Sequence, residues 1–116
     1  MEPVLNIAVS GLRAAAKRLE VSASNVVNDR STGYVPLRVQ QTAYAAGGTR
    51  AETVPVRPAS VPFVDPNDPD EAATRPNVSL EEEMVEQMLA RRAFEANLHS
   101  IETADRMTRT LLDTVA

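Results

Sequence analysis

The sequence predicts a mainly α protein: an antiparallel coiled coil of N- and C-terminal helices, with a short, proline-rich β/loop middle segment. Three observations carry this. The last 38 residues, Ser79 to Ala116, contain neither Pro nor Gly, so nothing in them breaks a helix. An apolar seam runs through the first part of the chain at heptad spacing. Six of the eight prolines fall between Pro55 and Pro76, which gathers the irregular chain into one central stretch.

The first helix opens at Pro3, a residue suited to a first helical turn. Leu5, Val9, Leu12, Ala16, Leu19, Ala23 and Val26 then follow at steps alternating between four and three. Ala8, Gly11, Ala15 and Ser22 crowd the same side and would let another helix approach closely. Gly11 costs about 1 kcal/mol in a helix interior, so close approach is its best justification. The seam ends in Ser24, Asn25, Asn28, Asp29, Ser31, Thr32, Gly33 and Tyr34, residue types that tolerate left-handed backbone and terminate helices. Asn25 and Asn28 read as helix C-cap residues, with hydrogen bonding between subunits at the bend as the functional reading.

Between Pro36 and Pro76 the pattern is strand and loop. Leu37, Val39 and Gln41 alternate weakly, Gly47-Gly48 signals a turn, and the residues from Thr53 to Val56 could return as an edge strand. The acidic, proline-spaced run from Asp65 to Glu71 reads as exposed and mobile. One small hairpin fits here; an independent core does not.

The C-terminal helix has a marked start. Ser79 with Glu82 three residues on is a capping box, and Glu81, Glu82 and Glu83 complement the helix dipole. Phe94, Leu98, Ile101, Ala104, Met107, Leu111 and Val115 form its apolar stripe. Met84 and Met88 read first as core packing and second as a partner surface, since methionine adapts to interfaces. Continuous helix over this stretch would run roughly 55 Å, longer than the first helix can cover. Surface that stays uncovered favours assembly over a closed monomer.

Composition narrows the function classes. Aromatic residues make up only 3% of the chain, so any core leans on Leu, Val, Met and Ala. There is no cysteine for a disulfide or thiolate site. A net charge of −4 without a basic cluster argues against nucleic acid or an anionic membrane as partner. The N-terminus lacks the basic region and apolar run of a secretory signal, and no lipid-spanning segment is present.

Metal or catalytic chemistry has one candidate cluster. Glu95, His99 and Glu102 share one helix face at a spacing that can present metal ligands. A solvated charged face beside the apolar stripe explains them better, since no second half-site accompanies them. Gly47-Gly48-Thr49 lacks the spacing and lysine of a phosphate loop. The expectation is no catalytic residue, no cofactor and no metal.

The stretch SGLRAAAKRLEVSASNVVNDRSTGY resembles the N-terminal signature of the bacterial flagellar axial proteins, through Ser10, Gly11, Leu12, Ala15, Leu19, Ser24, Asn25, Val26, Asn28, Ser31, Thr32, Gly33 and Tyr34. NVSLEEEMVEQMLARRAFEANLHSIETADRMTRTLLD is similar to the matching C-terminal signature, through residues that include Leu80, Met84, Ala90, Phe94, Asn97, Ile101, Ala104, Met107 and Leu111. Gln87 stands where that signature often has Met. The brief middle is closest to the FlgC-type proximal-rod family. The resemblance implies a structural subunit of the periplasm-crossing flagellar basal-body rod, self-assembling through its terminal helices and contributing to flagellum-dependent motility. It implies export through the flagellar type III apparatus without a cleaved signal, and other rod proteins and copies of itself as partners.

The expected layout is a rod-core helix and turn over residues 1–35, a strand/loop insert over 36–76, and a long pairing helix over 77–116. Candidate assembly residues are Leu5, Val9, Leu12, Ala16, Leu19, Asn25, Asn28, Gly33 and Tyr34 from the first part. Met84, Phe94, Asn97, Leu98, Ile101, Met107 and Leu111 supply the second. The rival reading is a free-standing helical binding module such as a secretion adaptor or chaperone.

Overall fold

A computed structural model describes residues 2–116. It contains α1 (Glu2–Val27), β1 (Leu37–Ala43), β2 (Thr49–Pro55), β3 (Ser60–Asp65), β4 (Asp68–Pro76) and α2 (Leu80–Val115). The molecule is a narrow bar of 78 × 26 × 15 Å. No helix among the described residues is long and apolar enough to cross a membrane.

α2 begins where the sequence marks it. Ser79 is the N-cap, in extended conformation, and its side chain accepts from the Glu82 amide. The carboxylate that returns to the Ser79 hydroxyl is that of Glu81, at 3.5 Å, so only half of the capping box forms as expected. Three acidic residues in the first turn meet the positive end of the dipole.

The helices run antiparallel. Gly11 lies against Asn97, Arg18 bonds Glu86 and Ser22 bonds Glu83, so ascending positions on α1 meet descending positions on α2. Small side chains are buried along the pair, Ala8, Ala15 and Ser22 from α1 and Ala90 and Ala104 from α2, while buried Ala14 lies toward the first hairpin. On α1 the contact face follows positions 8, 11, 15, 18, 22 and 25, one residue back from the seam of large side chains. One residue is about 100° around the helix. Leu5, Val9, Leu12 and Leu19 therefore flank the contact, half-buried, and Ala16 and Ala23 are exposed. Small residues win the centre because they let the backbones come close, and larger side chains then fit only at the margins.

The middle of the chain corrects the expected fold class. In place of a proline-rich loop with at most one hairpin there are two antiparallel hairpins, with strands of 7, 7, 6 and 9 residues. The protein is thus a helix pair carrying two β-hairpins, and mainly α describes only part of it. Prolines are tolerated because a two-stranded sheet has an open edge on each strand, where a missing N–H leaves no partner unbonded.

β1–β2 pairs from Leu37 opposite Pro55 to Ala43 opposite Thr49 and lies along α1. Its turn needs glycine. Gly47 and Gly48 have φ of 99° and 91°, and a β-carbon on either would come within 2.9 Å of Ile7 Cδ1 or Ser10 Oγ. The Ser10 hydroxyl accepts from the Thr49 amide at 3.1 Å and donates to the Ile7 carbonyl at 2.6 Å, tying helix to turn.

β3–β4 pairs from Ser60 opposite Pro76 to Asp65 opposite Asp68, with a register shift between Phe63 and Asp65. The run expected to be a mobile acidic linker is the turn and outer half of this hairpin. Pro66 and Asn67 form the turn, and the Asn67 amide donates to Asp65 Oδ1 at 2.9 Å. Neither strand packs on a helix or on the first hairpin. The Arg30 guanidinium lies 6.0 Å from the ring centre of Phe63, midway along β3.

Candidate assembly interface

A buried amide knots three elements together. Asn25, in the last turns of α1, is 2% exposed. Its Nδ2 donates to the Leu37 carbonyl at 2.7 Å and to Glu83 Oε1 at 3.1 Å. Its Oδ1 accepts from the Tyr34 hydroxyl at 2.9 Å and from the Leu37 amide at 3.1 Å. Two donors and two acceptors are all that an asparagine side chain offers in this role, and all are used. The end of α1, the start of β1 and the first turn of α2 are thereby held at one point.

The turn before β1 is shaped to deliver Tyr34 to this knot. Asn28 donates from Nδ2 to the Ser24 carbonyl at 2.9 Å and accepts from the Ser31 hydroxyl at 3.0 Å. Gly33, with φ of 82°, reverses the chain. The Tyr34 hydroxyl also lies 3.1 Å from Ser24 Oγ. Asn28 closes the helix end as a C-cap reading expects. Asn25 does something else: it is inside the helix and bonds across the fold within the same chain.

Polar contacts continue along the seam. Ser22 donates to the Glu83 carbonyl at 3.1 Å and accepts from Gln87 Nε2 at 3.2 Å. Arg18 Nε donates to Glu86 Oε1 at 2.6 Å, with the arginine side chain only 18% exposed. Arg18, Ser22, Glu83, Glu86 and Gln87 were not candidates from the sequence. For Arg18 and Ser22 the signal was the shared heptad phase with Gly11, Ala15 and Asn25, masked by the louder seam of leucines one residue on; Glu83, Glu86 and Gln87 carry no such signal on α2.

The candidate residues on α2 divide along its length. Phe94, Asn97 and Ile101 are half-buried against α1, with Ala104 buried between them and the chain end. Leu98, Met107 and Leu111 are exposed, the last two at 54% and 60%. Met84 and Met88 are exposed as well, at 63% and 57%, so the core reading of this pair gives way to a surface one. Val85, Leu89 and Leu112 add to the uncovered apolar area.

The charged face pairs locally. Glu95 accepts from Arg91 at 3.2 Å, His99 Nδ1 lies 3.3 Å from Glu102 Oε2, and Asp105 pairs with Arg109 at 3.1 Å. Glu95 is thus turned back along the helix, away from His99 and Glu102.

A bar-shaped helix pair, locked by polar contacts inside and lined with uncovered Leu and Met outside, defines a structural subunit that acts by packing. Comparison with known proteins agrees and is more specific. Residues 71–114 match the family model for the flagellar basal body rod FlgEFG protein C-terminal region. The chain is 34% identical over 120 aligned positions to the flagellar basal-body rod protein FlgC of Salmonella typhimurium, covering 90% of each chain, and matches that of Salmonella typhi to the same extent. The chain belongs to the flagellar basal-body rod proteins, of the FlgC type. It is a structural subunit of the basal-body rod, and the adaptor or chaperone reading gives way to this.

Proposed function

We propose that this chain is a proximal-rod subunit that builds the rod by packing its terminal helices against other rod proteins and copies of itself, in the periplasm. The observation that carries the reading is the uncovered apolar surface of α2, from Met84 and Met88 through Leu98 to Met107 and Leu111. Side chains of that size, left in water along a helix already paired on its other face, lose free energy only when a neighbour covers them. The short insert between the helices supports a place in the proximal rod. Delivery through the flagellar type III apparatus, without a cleaved signal, completes the reading.

Rods isolated from cells that carry a tagged copy test it. The tagged protein should co-purify with the rod at full, unprocessed mass and disappear from it when the export apparatus is disabled. Rods of normal length lacking the protein, or a shortened mature form, would overturn the assignment.

A further inference from the structure

We propose that the outer end of the β3–β4 hairpin of one copy docks into the basic cleft between α1 and the β1–β2 hairpin of a second copy. The proposal rests on the reading that this subunit packs with copies of itself.

The cleft is an open groove between Ser10, Arg13 and Lys17 of α1 and Tyr44, Thr49 and Arg50 of the hairpin, and no acidic side chain lines it. Arg13 and Lys17 stand one helical turn apart and form no ion pair among the described residues. Arg50 is held only by Glu52 at 3.2 Å, with both side chains more than half exposed, a pair that exchanges easily for another. Tyr44, half-exposed beside them, offers an aromatic face. Cations around an exposed ring suit an extended acidic segment carrying some apolar surface.

The β3–β4 hairpin has that chemistry. Asp68, Asp70 and Glu71 are exposed and form no ion pair among the described residues, and Val64 on the facing strand is 69% exposed. Residues 60–76 hold four acidic side chains against Arg75, so three of the chain's four net negative charges sit there. The hairpin packs on no other element, and an isolated two-stranded sheet is marginal in water. It gains from a partner surface. Within one chain the two surfaces do not meet, since β3 and β4 contact neither α1 nor β1–β2. Complementary patches at separate places on one molecule join copies head to tail, the kind of contact that propagates. Opposite charge on the two patches also sets which patch meets which.

The chain has no cysteine, so introduced thiols report this contact without background from the subunit itself. Lys17→Cys and Asp70→Cys variants, differently tagged and co-expressed, are to be oxidised in isolated basal bodies and blotted for both tags. Presence of the tagged chains in the basal bodies tests the rod reading; a disulfide-linked band carrying both tags tests the docking. That mixed band is expected, with little linkage when either variant is expressed alone. Basal bodies that contain both variants and give no mixed band would overturn the docking, as would a band linking Asp70→Cys to a different protein. Charge reversal supplies a second reading on purified protein, whose circular dichroism checks that each variant is folded. Lys17→Glu or Asp70→Lys should weaken self-association about tenfold at low salt, and the two reversals combined should recover most of it. Equal loss in the combined variant and the singles would also sink the proposal.

Discussion

Gly11 and Asn97 meet across the helix pair so closely that a β-carbon at position 11 would lie 2.6 Å from Asn97 Cγ. The Asn97 amide cannot drift away freely, because its Nδ2 donates to the Ala93 carbonyl at 2.8 Å on its own helix. Gly11→Ala should displace that side chain and lose about 1 kcal/mol, roughly what the better helix former returns. Gly11→Leu has no such escape and should destabilise by about 2–3 kcal/mol through overpacking. Urea unfolding of the two variants checks this, Gly11→Ala being close to its parent, and adding Asn97→Ala to Gly11→Ala should remove the clash and uncover the helix-propensity gain. A Gly11→Leu protein as stable as its parent would show that the helices are not in close contact there.

Asn25 offers a sharper test of the polar knot. Asn25→Leu keeps the number of side-chain heavy atoms but leaves the Leu37 amide and carbonyl without their partner and the Tyr34 hydroxyl with Ser24 alone. The cost should be about 3 kcal/mol, above that of a single lost hydrogen bond, because several buried groups are orphaned together. Tyr34→Phe removes one of the four bonds and should cost about 1 kcal/mol. Thermal unfolding should rank the variants in that order; an Asn25→Leu protein less destabilised than the Tyr34→Phe protein would contradict it.

Leu111 and Ala104 separate assembly from folding. Leu111 is 60% exposed, so Leu111→Asp should shift the stability of the isolated subunit by no more than about 0.5 kcal/mol. Swimming and rod content should nevertheless fall sharply, since the carboxylate would be buried by a neighbour. Ala104 is already buried at 4%, and Ala104→Asp should destabilise the isolated subunit by several kcal/mol. Normal rods built from Leu111→Asp protein would remove this residue from the assembly surface.

The first hairpin should answer to its turn. Gly48→Ala strains a positive φ and drives the new methyl toward Ser10 Oγ, so a loss of about 1–2 kcal/mol is expected. Ser10→Ala should cost about 1 kcal/mol by freeing the Thr49 amide. Hydrogen exchange at Thr49 should quicken in both variants; unchanged protection would mean that the serine does not anchor the hairpin.

Both helices were legible in the sequence because periodic apolar residues, an N-cap at Ser79 and the absence of helix breakers all act locally. The contact face was not. Leu5, Val9, Leu12 and Leu19 form the more apolar line, and hydrophobicity alone prefers it, but Ala8, Gly11, Ala15 and Ser22 give the shorter approach. Their capacity for close approach was read from the sequence; that they, and not the leucines, form the centre of the contact shows only once a second helix is present. The first hairpin was announced by the Gly47-Gly48 turn between two weak strands; the second was obscured by prolines at open edges and by pairings, such as Ser60 with Pro76, that no nearby residue announces. Asn25 stood out as a candidate, yet its role depends on Leu37 and Glu83, 12 and 58 residues away. Of the uncovered apolar surface, Leu98, Met107 and Leu111 were readable as apolar stripe, whereas the exposure of Met84 and Met88 required the fold.

The small-residue seam also governs how the protein behaves in a test tube. Alanine, glycine and serine do the fitting inside, so the side chains with the greatest power to adhere, Met84, Met88, Leu98 and Leu111 among them, remain outside after folding is complete. Native structure does little to shield this chain from clinging to itself. Crowding rather than heat should then set the ceiling on soluble yield, and preparations are best kept dilute even when every molecule in them is correctly folded.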